Sequence, residues 1–188
     1  MSDIIKFDTV TQAFGIDRTF KCSGYGLGAM VAKMQNPTVL EIGCDVGDTT
    51  QFLLDSNPNL SLIGVDPYVN YVDWNGNNLN EREVVYQRFK ERLKGYKNRF
   101  DLLREYSDDA VERVLDNFFD LIFIDGLHEY DQLTKDCANY YSKLKEGGIF
   151  AGHDYNAIEG VRRAADEFAA KVGKEIQITE CDVWYWIK

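Results

Sequence analysis

Six side chains in this sequence are placed to do acid–base or metal chemistry together. Glu41, Asp66, Asp125 and Asp154 each close an apolar run, and the two histidines of the chain stand beside the last two acids: His128 three residues after Asp125, His153 immediately before Asp154. Imidazole titrates near neutral pH, so either ring can take a proton from a hydroxyl or bind a metal. Asp125 and Asp154 offer oxygen ligands suited to a hard cation that keeps several waters, Mg2+ first, with Mn2+ or Ca2+ as alternatives. A plainer role is also open, in which Asp154 caps the next helix and Asp125 fixes its own turn.

To share one edge, these residues must sit at the carboxyl ends of neighbouring strands. Val39–Ile42, Leu60–Val65, Phe118–Ile124 and Ile149–Gly152 read as buried strands, with Phe100–Arg104 as a shorter one. Between them the pattern turns helical. Gly43-Cys44-Asp45-Val46-Gly47 makes a tight turn into a helix that stops at Asn57-Pro58. Glycine lets backbone approach a ligand and the helix start offers free amides, although packing alone can also explain such a turn. Asp66, 19 residues beyond Gly47, is placed to accept two ribose hydroxyls. Asp45 would repel a pyrophosphate, which tells against a nicotinamide dinucleotide.

The remaining segments frame this edge. Lys21–Met34 holds Gly24, Gly26 and Gly28 and reads as a flexible cover that becomes a short helix. Pro67–Asn80, rich in asparagine and aromatics, is expected to be a loop over the ligand edge, where Tyr68 or Trp74 shields a ring or stands as an ordinary exposed aromatic. Glu81–Lys94 is a predicted helix. Ser107 or Asp108 is expected to cap a helix over Ala110, Val111, Val114 and Leu115, and lies where an adenine would. Helices are predicted over Asp131–Leu144, ended by Gly147-Gly148, and over Ile158–Val172. Glu175–Thr179 and Val183–Ile187 alternate as a terminal antiparallel pair turning at Glu180-Cys181-Asp182. The expected fold is α/β, a three-layer Rossmann-like sandwich on a seven-stranded, mostly parallel sheet with one antiparallel strand near the C-terminus.

Composition sets the outer limits. A chain of 188 residues with 45% hydrophobic residues and three prolines fits one ordered domain. Its net charge of −10 disfavours nucleic acid. The basic residues Arg82, Arg88, Lys90, Arg92, Lys94, Lys97 and Arg99 are interleaved with acids and read as a solvated face. Cys22, Cys44, Cys137 and Cys181 are dispersed without metal spacing and read as reduced thiols, and no signal peptide or membrane span is apparent, so a cytoplasmic protein with no membrane partner is expected.

The run Val39–Thr50, with Asp66, Ser107, Phe119–Tyr130 (I-D-G-x-H-x-Y) and Gly147–Tyr155 (G-G-x-x-x-G-H-D-Y), resembles class I S-adenosylmethionine-dependent methyltransferases, within them enzymes related to catechol O-methyltransferase-like and sugar O-methyltransferases. The resemblance implies a single domain over residues 1–188, with 1–35 as an N-terminal cover and 36–188 as the Rossmann-like core. It implies S-adenosylmethionine as cofactor, with Glu41, Gly43, Asp45 and Gly47 around its methionine part, Asp66 on the ribose, Ser107 or Asp108 by the adenine, and Asp125 where cofactor and metal meet. In the catechol-type pattern a lysine three residues after this aspartate deprotonates the acceptor; here the position is His128. The later metal pair, Asp-Asn in that pattern, is His153-Asp154 here, giving Asp125, Asp154 and His153 as the implied ligands of Mg2+ or another divalent cation.

Three functions fit this reading. The first is O-methylation of a small molecule, a sugar or polyol-bearing metabolite by resemblance, with Asn75–Asn80 available to bond hydroxyls. The others are a metal-independent methyltransferase acting on nitrogen or another acceptor, and a non-catalytic nucleotide-binding protein. The aromatic run Trp184-Tyr185-Trp186 either packs on a helix or serves a homodimer.

Overall fold

The computed structural model describes residues 23–188, apart from 74, 97 and 180. A sheet of seven strands runs through it in the order β5-β2-β1-β6-β7-β9-β8. The strands are β1 (Thr38–Ile42), β2 (Ser61–Val65), β5 (Phe100–Leu103), β6 (Phe119–Ile124), β7 (Leu144–Gly152), β8 (Gln177–Ile178) and β9 (Trp184–Ile187). All neighbours from β5 to β7 are parallel, and β9 pairs antiparallel with both β7 and β8. β3 (Tyr71–Val72) and β4 (Asn78–Leu79) form a separate antiparallel hairpin.

Alternation along the strands divides the core into two layers. Leu40 and Ile42 of β1 and Ile122 and Ile124 of β6 join one cluster, while Val39, Leu121 and Phe123 face the other; Phe119, before the register shift in β6, joins the first. The first layer is completed by α4 (Ser107–Ala110), α5 (Tyr130–Tyr140) and α6 (Glu159–Lys171), the second by α1 (Ser23–Val31), α2 (Asp48–Ser56) and α3 (Arg82–Leu93). Because side chains alternate with period two, a strand buried on both faces is apolar throughout, which is why β1 and β6 read so clearly in the sequence.

Several expectations are corrected at this level. The glycine-bearing cover is helical: α1 packs on α2, and a side chain at Gly28 would strike Phe52. Residues 67–80 contain the β3–β4 hairpin rather than loop alone. The helix expected over 107–115 shortens to α4 and a 3-10 turn, Val111–Arg113, leaving Leu115 exposed. Likewise α5 gives way to a 3-10 turn at Tyr141–Lys143, and β7 begins at Leu144, so Gly147 and Gly148 lie within a strand whose register shifts against β6. Cys44 and Cys137 are free and buried, but Cys181 is disulfide-bonded, so the reading of all thiols as reduced fails there; sequence spacing carries no signal for such a pairing. Trp184 and Trp186 are buried against Phe150, so they are core residues and offer nothing to a dimer interface. Among the described residues, no helix is long and apolar enough to cross a membrane.

Candidate functional site

The parallel ladder continues past the strand ends and sets the site. Gly43 N–H donates to Val65 O at 2.8 Å, Asp125 N–H to Ile42 O at 2.7 Å, and His153 N–H to Ile124 O at 3.2 Å. Each residue that leaves its strand is thereby tied to the neighbouring strand, and the carboxylates are drawn to one edge. Gly43 is required where it stands. Its φ is +87°, and a Cβ there would lie 2.1 Å from Asp125 O, so only glycine lets these two turns touch.

Asp66 organises the first turn. Its Oδ2 accepts the amides of Cys44 and Asp45 at 3.1 and 3.0 Å, and its Oδ1 accepts Tyr68 N–H at 2.9 Å. Burial raises its pKa, opposed by those amides and by Arg82. Arg82 Nη1 lies 2.6 Å from Asp45 Oδ1 and Nη2 3.7 Å from Asp66 Oδ2. Glu41 is fully buried and accepts Thr50 Oγ1–H; burial, with the charges of Asp125 and Asp66, pushes it up to about 8 against that bond. It is therefore a largely protonated acid at neutral pH, able to ionise when a cation arrives.

Across the sheet, Asp125, His128 and Asp154 present ligand atoms within 4.8 Å of one another. His128 Nε2 lies 3.2 Å from Asp125 Oδ1 and 2.9 Å from Asp154 Oδ2. Burial works to lower its pKa, but the bonds to both carboxylates outweigh it and push the imidazole up to about 9. Asp154 is held well below the carboxylate range by His128 and then His153. His153 Nδ1 faces Asp154 Oδ1 at 3.2 Å and Asp125 Oδ1 at 3.7 Å, while its Nε2 is 3.1 Å from the Cys181 carbonyl. The donor chemistry and convergence of Asp125, Asp154 and His128 are those a divalent cation could use, whereas His153 faces the same carboxylates from outside that convergent group.

Ser107 and Asp108 lie together at the start of α4, though neither caps it: the cap position is Tyr106, without a side-chain bond. Gln132 Nε2 instead reaches Ser107 Oγ, Asp108 Oδ1 and Asp136 Oδ1, each at 3.2 Å, and Tyr140 Oη donates to Ser107 O at 2.7 Å. Tyr68 is buried, its hydroxyl donating to Asp45 O at 2.8 Å, so it supports the turn from beneath and does not stand exposed; Trp74 lies outside the described residues. Asn77 is committed to Asp73, through its amide at 2.7 Å and its side chain at 3.0 Å.

The basic run contains residues that its solvated reading misses. Arg82 is buried at the turn, Arg92 pairs with Asp48, and Arg99 donates to the carbonyls of Leu54 and Asn57. Nothing local distinguishes them, because their acceptors come from distant turns. Asp136 carried a signal: it lies between Leu133 and Cys137 on the apolar face of α5, and burial raises it to about 6.

Residues 40–155, more than half of the chain, match a family model described as a methyltransferase domain. Uncharacterized protein R132 of Acanthamoeba polyphaga mimivirus is 28% identical over 122 residues, 63% of this chain and 51% of that protein, so the chain spans about half the length of this curated relative. Among solved structures, an O-methyltransferase from Bacillus cereus in complex with SAH superposes with a TM-score of 0.62 at 14% identity, covering 96% of this chain and 88% of that one. The O-methyltransferase NovP gives 0.63 at 16% identity, over 81% and 72% of the two chains. SAH-bound methyltransferase PaMTH1 of Podospora anserina gives 0.59 at 14%, over 86% and 77%. The family match spans the glycine turn and both later strand ends; the chain belongs to the methyltransferase-domain family and has the Rossmann-like fold of class I S-adenosylmethionine-dependent methyltransferases.

Proposed function

We propose that this protein transfers a methyl group from S-adenosylmethionine to a hydroxyl oxygen of a small molecule, with a divalent cation assisting. The observation that carries this reading is the convergence of Asp125, His128 and Asp154 beside the Gly43 turn. The SAH found in the Bacillus cereus and Podospora anserina proteins supports the cofactor. Glu41 would face the cofactor's methionine ammonium, Asp66 its ribose, and Ser107 and Asp108 its adenine, all within the one domain proposed for the chain.

Transfer is an in-line displacement. The acceptor oxygen bonds the methyl carbon, the carbon–sulfur bond breaks with its electrons staying on sulfur, and the hydroxyl proton goes to His128. The chain contributes chiefly orientation and proton removal. Asp125, Asp154 and His153 through Nδ1 would hold Mg2+ or a similar ion, which lowers the acceptor's pKa and draws the carboxylates' charge away from His128. Without that charge shift His128 keeps its own proton at neutral pH, as its pKa of about 9 requires. A second assignment, His128 as the ligand, is favoured by its short approach to both carboxylates.

A sugar or polyol acceptor follows from the family resemblance, with Asn75, Asn78 and Asn80 as the remaining amides of the 75–80 run. No nucleic-acid partner and an open oligomeric state complete the proposal; a cytoplasmic site of action rests on the free thiols of Cys44 and Cys137 and is opposed by the bonded Cys181. The test is turnover by His128→Gln with SAH and Mn2+ affinities measured in parallel. Abolished turnover with both affinities kept within about threefold supports His128 as base; unchanged turnover refutes it, and lost Mn2+ affinity makes it a ligand. Activity indifferent to EDTA and Mg2+ refutes metal assistance. Calorimetric binding of NAD without any for SAH refutes the cofactor.

A further inference from the structure

We propose that Asp182, in the turn between β8 and β9, is a positioning residue that holds His153 and Asp154 in their working geometry. The inference rests on the reading above, in which those two residues serve the cation and the proton transfer. Asp182 is remote in sequence, yet its carboxylate fastens the chain immediately beyond them. Oδ1 accepts Asn156 N–H at 2.8 Å and Asn156 Nδ2 at 2.6 Å, and Oδ2 accepts Ala157 N–H at 3.1 Å. Its carbonyl accepts Tyr155 N–H at 3.5 Å. On the other side of His153, the carbonyl of Cys181 meets Nε2 at 3.1 Å. The turn thus grips the segment on both flanks of Asp154.

Asp154 needs such a grip. Its φ is +59°, a left-handed conformation that residues with a Cβ keep only when the surroundings impose it. That conformation directs its carboxylate at both imidazoles. The Cys181 carbonyl can only accept, so His153 carries a hydrogen on Nε2; Nδ1–H donates to Asp154, and once a cation displaces that proton Nδ1 is the nitrogen left facing Asp125 and Asp154 with a lone pair. An outer residue that fixes the tautomer and aim of a ligand usually changes metal affinity about 10–100-fold when removed. A turn that merely joined two strands would cost stability alone.

The experiment uses the full chain with Asp182→Ala and Asp182→Asn. Asparagine keeps one accepting oxygen for Asn156 but turns its NH2 group toward Ala157 N–H, so it should be intermediate and folded where alanine fails. Three quantities are measured: Mn2+ affinity by electron paramagnetic resonance, SAH affinity by calorimetry, and, in metal-free protein, the His153 Nε2–H proton by NMR. The unchanged protein is expected to show a slowly exchanging imidazole proton, and the variants to lose it, to weaken Mn2+ binding by ~10-fold or more, and to leave SAH binding within about threefold. A folded variant that binds SAH and keeps that proton overturns the proposal. If the unchanged protein binds no Mn2+, the metal reading falls, and the imidazole proton still decides the role of Asp182.

Discussion

Replacing Glu41 by glutamine should make the protein more stable at neutral and alkaline pH, and by a predictable amount. The carboxyl is fully buried and titrates at about 8 rather than its ordinary 4.5. An acid whose folded pKa is raised contributes its stability fully below the unfolded value and loses it as pH rises through the folded one. The loss therefore begins near pH 4.5 and is complete above about 8. At about 1.36 kcal/mol per pKa unit, it amounts to roughly 3 kcal/mol by pH 7 and about 5 kcal/mol in full. Glutamine does not ionise, and its Oε1 can still accept from the Thr50 hydroxyl. The assay is urea unfolding of both proteins from pH 5 to 8.5, with the transition slope checked for constancy. The stability difference should widen steadily with pH in favour of glutamine, while SAH binding at pH 7 weakens if Glu41 ionises against the cofactor ammonium as proposed. Parallel pH curves would refute the argument, because they would mean that Glu41 ionises at its ordinary value in the folded chain.

Two further substitutions probe the same edge. Gly43→Ala forces a Cβ onto the Asp125 carbonyl at positive φ, so chemical denaturation should show a loss of about 1–3 kcal/mol, accompanied by weaker SAH binding. Arg82→Gln leaves buried Asp66 short of its cation and frees half-exposed Asp45. Denaturation should register about 1–3 kcal/mol, less than for a fully buried pair, and SAH affinity should fall while Arg82→Lys recovers part of it.

The fold was legible because its central strands are buried on both faces: β1, β2, β6 and the Ile149–Gly152 half of β7 read as mainly apolar runs that end where backbone and ligand chemistry begin, whereas the polar start of β7 did not read as strand. The hairpin at 71–79 was not, since two-residue strands leave no periodic trace. Within the site, the four strand-end acids and both histidines could be found from their positions alone. Arg82 could not, for the charge that decides its role comes from Asp45, which is 37 residues away. The Tyr68 ring was misjudged for a similar reason. An aromatic in a polar stretch suggests exposure, whereas its positive φ and its bond to Asp45 turn it inward. Asp182 is the same lesson, an acid in a surface turn whose partner Asn156, 26 residues away, belongs to another strand end.

The position of β9 has a consequence for how the chain reaches this state. It is the last strand in sequence, yet it lies between β7 and β8 and brings both buried indoles with it. Until it arrives, β7 is an unpaired edge beside a half-filled layer, and such edges recruit strands from other molecules. Because β8 pairs, among the described strands, only with β9, the two strands must dock on β7 as one hairpin, and a chain halted before residue 184 leaves that edge open and is a candidate for aggregation and proteolysis.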